Sequence, residues 1–149
     1  MSQLNGFFSL RTPKDLLGKL EADFDRLRGA NLSSVDAQYA AFDFFVTAEH
    51  LPDWLSRAIV GSSLTQHRAY PDGALVSHVA NGAKHFRVDV TRHTTVRDTR
   101  SQPGAFQANA FQASAFDVPR LVIDLENGTS IDVIEVAERV VAYWRRHIP

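Results

Sequence analysis

The sequence predicts a mainly α fold of the α+β class: four N-terminal helices, a small antiparallel β element with an Asn-Gly hairpin, and a C-terminal helix. Three observations predict it. Leucines and aromatic residues recur at helical spacing through the first half, behind residues that favour N-cap positions. After Phe86 the pattern shifts toward the alternation of a half-buried strand. Near the C-terminus, Asn127-Gly128 separates two short β-type runs and precedes a strongly amphipathic segment.

Each element has its own signal. Thr12-Pro13-Lys14-Asp15 opens the first helix with an N-cap hydroxyl, proline at N1 and an acid at N3. Leu16, Leu17, Leu20, Phe24 and Leu27 supply its apolar stripe, and Gly29 closes it. Ser33 and Asp36 predict a capping box for the second helix, with Val35, Tyr39, Phe42 and Val46 as its buried stripe. That helix is expected to end near His50, because Pro52 removes a backbone donor and restricts Leu51. Pro52 then opens a short third helix carrying Trp54, Leu55 and Ile59, which Gly61 ends. Residues 62–73 are polar and hold the turn Tyr70-Pro71-Asp72-Gly73. A fourth helix follows with Leu75, Val76, Val79, Ala83 and Phe86 on a broad apolar face.

Val88, Val90 and Thr94-Thr95-Val96 read as strand, and residues 97–104 as a polar loop. Three five-residue repeats follow, each beginning Ala-Phe, so that Phe106, Phe111 and Phe116 match neither the helical nor the strand period. Residues 121–125 and 129–131 form the hairpin strands. Asp132 and Glu135 cap a last helix whose stripe is Val133, Ala137, Val140 and Trp144. Arg145, Arg146 and His147 stand at its end, where the helix dipole favours positive charge. No linker or composition break interrupts residues 1–149, which read as a single domain.

Composition narrows the function classes. A formal net charge of -1 leaves no global basic footprint of the kind nucleic-acid binding usually leaves, and a local basic patch stays open. The absence of cysteine excludes disulfides, thiolate nucleophiles and cysteine-ligated zinc. No apolar run approaches the roughly 20 residues that span a bilayer, and the N-terminus has no signal-peptide pattern. The expectation is a cytoplasmic protein with no membrane partner.

The densest chemistry lies in Ala80-Asn81-Gly82-Ala83-Lys84-His85-Phe86. Glycine inside a helix costs about 1 kcal/mol relative to alanine, so Asn-Gly there does not serve helix stability. On a helical wheel His78, Asn81 and His85 fall on one polar edge, flanked by Lys84. Asp43 and His50 share a face of the second helix and form a second candidate pair. His85 is suited to proton transfer near neutral pH, Lys84 to stabilising a phosphorane-like anion, and Asn81 to orienting a hydroxyl. His78, Asp43 and His50 read as binding residues. His78 and His85 stand about 10 Å apart along the axis, too far to share a zinc ion. No metal and no cofactor are therefore expected, and no nucleophile elbow or phosphate-cradling loop occurs.

Two segments, Asp43-Phe44-Phe45-Val46-Thr47-Ala48-Glu49-His50-Leu51 and residues 80–86, resemble small bacterial and prophage proteins. Their arrangement is in turn similar to the HEPN helical superfamily. That resemblance implies either a metal-independent ribonuclease or a companion of nucleotidyltransferases. Catalytic members carry Arg, four to six residues, then His on one helix. The eligible positions before His85 hold His78, Val79 and Ala80, so only His85, with Asn81 beside it, is carried over.

Two functions follow as expectations. The first is a non-catalytic helical interaction or binding module with a protein partner or self-association, using the surplus of Phe106, Phe111 and Phe116. The alternative is a HEPN-like ribonuclease, or a degenerate relative that binds RNA, built on His85.

Overall fold

The computed structural model describes residues 6–85, 95–102 and 119–149. Five helices and a three-stranded antiparallel sheet make up the described residues: α1 Pro13–Gly29, α2 Val35–Ala58, α3 Leu64–Arg68, α4 Gly73–Lys84, β1 Val96–Gln102, β2 Arg120–Leu125, β3 Ser130–Asp132 and α5 Val133–His147. The fold is mainly α with a small β part, as the patterning predicts. Among the described residues no helix is long and apolar enough to cross a membrane.

α1 begins as its sequence dictates. The Thr12 hydroxyl accepts the Asp15 N–H at 3.1 Å, and the Asp15 carboxylate accepts the Thr12 N–H at 2.9 Å. Those bonds satisfy donors that a helix start leaves open; the Arg11 N–H, also donated to the Asp15 carboxylate at 2.9 Å, and then the Thr12 bonds hold the Asp15 carboxyl below its usual range. Leu16, Leu17, Leu20, Phe24 and Leu27 are all buried.

α2 departs from expectation in three ways. It runs unbroken through Pro52 to Ala58. Proline costs the helix one hydrogen bond, but its ring is fully buried with Leu51 and Leu55, and that burial offsets the loss. The cap is Ser34, whose hydroxyl donates to the Asn31 carbonyl rather than accepting from the helix. The expected capping box of Ser33 and Asp36 does not form. Third, the buried face is not the expected stripe. Ala37, Ala40, Phe44, Phe45, Ala48, Leu51 and Leu55 face inward, while Val35, Tyr39 and Phe42 are exposed. α2 lies between α1 and α4, and alanines at the contacts let neighbouring helices approach closely.

The third helix is Leu64–Arg68, inside the stretch read as polar loop, and Ser63 caps it by accepting the Gln66 N–H. The Tyr70–Gly73 turn is present, with the Gly73 N–H bonded to the Tyr70 carbonyl at 2.9 Å. Asp72 then receives two bonds from Arg139 of α5, at 3.2 and 2.9 Å, which fasten the start of α4 to the last helix. Tyr70 stacks on Tyr143 at 4.8 Å and meets Trp144 edge-on at 5.0 Å. Its burial raises the phenol pKa, so it stays neutral.

The sheet order is β1-β2-β3. Residues 97–102, read as loop, continue from Val96 as β1, which pairs Thr99 with Ile123 and Ser101 with Leu121. The hairpin turns through three residues rather than two. Gly128 N–H bonds to the Leu125 carbonyl at 3.0 Å, Leu125 N–H bonds to the Thr129 carbonyl at 2.8 Å, and Gly128 alone of the turn has positive φ (87°). That is a turn closed by a glycine bulge, for which Asn127 needs no left-handed conformation. Asp132 caps α5 through the Ile134 N–H at 2.8 Å. Val133, Ala137, Val140 and Trp144 are buried as predicted. The strand expected from Val88 to Thr94 and the repeats carrying Phe106, Phe111 and Phe116 lie outside the described residues.

One polar group sits inside the α1–α2 seam. Asp23, buried, accepts from Lys19 Nζ at 2.7 Å and from the Thr47 hydroxyl at 2.7 Å. A buried carboxylate stripped of such partners is costly. Conversely, Thr47→Val removes one donor while keeping shape. It is expected to lower unfolding free energy by about 1–3 kcal/mol, and urea denaturation measures this. A loss below a few tenths of a kcal/mol would mean that Lys19 alone satisfies Asp23.

Candidate functional site

A groove of about 380 Å³ opens between α2, α4 and the sheet. Gln38, Ala41, Phe42 and Phe45 form the α2 wall; His78, Val79, Gly82 and Ala83 form the α4 wall. Residues of β1 and β2, with Leu121 and Ile123 among them, complete it next to Val133.

Five consecutive residues of β1, from Val96 to Arg100, line the groove, and the pairing register sets which of them share the core side of the sheet. Leu121 and Ile123 join the hydrophobic core, so their partners Ser101 and Thr99 share the inward face. Arg97 lies at the register shift between Val96 and Asp98; it is exposed and lines the groove. The register shift between Val96 and Asp98 keeps Val96 there as well, packed against the core. Asp98 and Arg100 alternate with Thr99 along the strand, and both line the groove as well. Arg100 is occupied by Asp124, Nε to Oδ2 at 2.8 Å, and Asp124 also accepts from Ser130 Oγ at 2.5 Å. The Arg100 bond, then the Ser130 bond, hold the Asp124 carboxyl below its usual range.

The candidate residues of the fourth helix do not stay together. His78 is buried, and its Nδ1 accepts the Val96 N–H at 3.0 Å, which ties the start of β1 to α4. Asn81 is half-buried and its carbonyl accepts the His85 N–H at 3.0 Å. Lys84 ends α4, and His85 is its C-cap with extended backbone; both are exposed. His78 lines the groove, whereas Asn81, Lys84 and His85 do not. The helical wheel assumes regular helix through residue 85, and α4 stops one residue short of it.

The α2 pair also separates. Asp43 forms an ion pair with Arg26 of α1. His50, at the surface, lies within electrostatic reach of Lys84. Partial desolvation, then the Lys84 charge, lower the His50 pKa, against smaller opposing effects of Asp53 and Glu49. Beside it, buried Glu49 receives Arg68 Nη2 at 2.9 Å and Ser77 Oγ at 3.0 Å, so that carboxylate is committed to structure. Among the described residues no group of three or more His, Asp or Glu side chains is placed to hold a metal ion.

Sequence patterning missed Arg97, Thr99 and the exposure of Tyr39 and Phe42. The signal for α2 was present: Ala37, Ala40, Phe44, Ala48, Leu51 and Leu55 form a second helical stripe once alanine is counted as apolar. Nothing local marks the register shift between Val96 and Asp98. No family model, curated protein or solved structure matches the chain.

Two measurements check this geometry. His78→Leu is expected to free the Val96 amide, visible as faster hydrogen exchange there, and to cost about 1–3 kcal/mol of stability. Unchanged exchange at Val96 would show that the bond does not hold β1. Lys84→Met is expected to raise the His50 pKa, followed by imidazole NMR titration. The sign for stability follows from linkage. Because folded His50 binds protons less readily than unfolded, stability is full above the ordinary value of 6.5 and declines as pH falls below it. His50→Gln is expected to flatten that decline in denaturation curves between roughly pH 7 and 5. An unaltered slope would exclude His50 as its source.

Proposed function

We propose that the protein is a cytosolic helical interaction module that docks a protein partner on the outer face of α2. The observation that carries this reading is the row Val35, Tyr39 and Phe42, exposed by 53%, 63% and 47% at helical spacing. Large apolar side chains clustered on one exposed face mark interaction surfaces, and aromatic residues dominate binding energy there. The row has a charged rim: Arg26 and Asp36 flank Tyr39 at a notch whose floor is Gly29, Ala30 and Ala40. Small residues beside a protruding tyrosine suit a partner side chain of complementary shape.

Because these side chains are exposed, changing them is expected to leave the fold intact. A Tyr39→Asp/Phe42→Asp variant should keep its melting temperature within a few degrees and lose association, whether with a partner or with itself. Sedimentation velocity over a concentration series, and photo-crosslinking from a benzophenone side chain at position 39, read the contact. A wild-type chain that neither self-associates nor crosslinks from position 39 in cells would exclude this face as an interface.

A second reading draws on the proximity of Lys84 to His50 at the exposed end of α4, beside His85. This places a cation and two imidazoles within one region, a set suited to metal-independent RNA cleavage or to RNA binding with His85 as acid–base. In a purified RNA digest His85→Ala is then expected to abolish cleavage while circular dichroism is unchanged. Wild-type protein that neither cuts nor retains RNA would remove this reading.

A further inference from the structure

We propose that a second copy of this chain docks antiparallel across the outer face of α1, each copy's Phe7-Phe8 turn entering the notch beside the other's Tyr39. The contact does not rest on the outer row of α2, which it meets only at Tyr39.

The knob is a built feature. Phe7 and Phe8 are 72% and 96% exposed at the tip of a turn just before α1, and neither belongs to the core. The Leu10 N–H bonds to the Phe7 carbonyl at 2.9 Å, and Arg11 Nη1 donates to the Gly6 carbonyl at 3.2 Å. Phe8 and Ser9 hold left-handed backbone, φ 54° and 75°, a region that residues with a Cβ disfavour. Gly6 is also left-handed, and a Cβ there would fall 1.7 Å from the Leu10 carbonyl oxygen. The chain thus holds strained backbone to present two phenylalanines to water. Apolar side chains so exposed are what an interface covers.

The receiving surface lies on the same chain. The notch of Gly29, Ala30, Tyr39 and Ala40 sits at the far end of the α1–α2 pair. Gly6 lies beside the Trp54 ring. At 100° and 1.5 Å per residue, Trp54 is on the same face of α2 as Tyr39 and Ala40, about four turns or 22 Å along. Knob and notch therefore stand at opposite ends of one surface. A two-fold axis midway sets each copy's knob on the other's notch, and the contact closes at two copies. Another protein would have to bring both shapes at this spacing; a second copy already has them.

Charge and area agree with that axis, which falls near Leu20, halfway between Leu10 and Ala30. Lys14 and Asp25, both exposed, lie on one flank of α1, and the axis sets Lys14 of each copy opposite Asp25 of the other. On the other flank Asp15 comes opposite Arg26, so opposite charges meet along both edges. Gly18 and Ala22 face outward at the crossing and carry no bulk to hold the helices apart. A phenylalanine offers about 200 Å², so at these exposures each knob brings about 340 Å². Counted with the surface they cover, two knobs remove about 1,300 Å² from water, above the roughly 1,000 Å² that a specific interface needs.

Sedimentation velocity of the full chain over a concentration series reads the dimer, expected at twice the chain mass of 16.6 kDa. Phe7→Asp/Phe8→Asp is expected to weaken association by at least about tenfold, with melting temperature unchanged because both rings are exposed. Lys14→Glu and Asp25→Lys are each expected to weaken it severalfold, and the two together to restore it, as an opposed pair requires. Val35→Asp/Phe42→Asp, outside the contact, is expected to leave the dimer intact, which separates this interface from the α2 row. The chain has no cysteine, so Ser9→Cys mixed with Ala30→Cys is expected to give disulfide-linked heterodimers ahead of either homodimer. Any of five results would overturn the proposal: a monomer even at millimolar concentration, dimerisation unaffected by Phe7→Asp/Phe8→Asp, a charge-exchanged double variant as weak as its single variants, loss of the dimer in Val35→Asp/Phe42→Asp, or homodimer disulfides forming as fast as the mixed one.

Discussion

The position of α2 constrains everything else in the molecule. A single helix of 24 residues must bury one face against α1 and another against α4, and it does so largely with alanines and phenylalanines. Ala37, Ala40 and Ala48 are fully buried, so the helices on either side approach closely. Phe44 and Phe45 fill the remaining volume and contact each other edge-on at 5.5 Å. With two faces committed, the third has no packing partner among the described elements. The larger residues Val35, Tyr39 and Phe42 are left on that third face. The surface read as an interface is thus a consequence of which residues the core selected.

The same arrangement builds the groove. β1 is held against the helices by few polar contacts: the Val96 N–H to His78 at one end and the Ser101 hydroxyl to the Leu32 carbonyl, at 3.3 Å, at the other. Between those ties the strand stands off α2, and the space is lined by small or flat residues such as Ala41 and Ala83. His78, read from sequence as a binding residue, serves as an acceptor for a strand amide. Glu49, Asp23 and Asp124, the buried carboxylates, are likewise each bonded to a cation and a hydroxyl. Burial without partners would cost each of them several kcal/mol, so their bonding marks them as structural.

Where local chemistry decides structure, the sequence was readable. The Thr12 capping box, the Tyr70–Gly73 turn, the Asp132 cap and the stripe of α5 depend on side chains within a few residues of one another, and each formed as read. Where two opposing terms compete, it was not. Pro52 breaks helices by removing a donor, but here its ring enters the core, and no local rule weighs the lost bond against that burial. The Asn-Gly pair signalled a turn correctly, while the turn type depended on the strand register. On α4 the wheel placed His78 with Asn81 and His85, but His78 is buried with its Nδ1 accepting a strand amide, and His85 lies past the helix end.

By itself the sequence determined the mainly α class, the first helix, the hairpin and the closing helix, because hydrophobic period and capping are properties of contiguous residues. It also set the inventory of groups available for chemistry: six histidines and no cysteine. Tertiary structure alone decided which stripe of α2 is buried, that residues 97–102 pair in a strand, and that His78 is buried with its Nδ1 accepting a strand amide. Each of those outcomes is fixed by contacts between residues far apart in the chain, whose energies depend on which neighbour arrives and at what register.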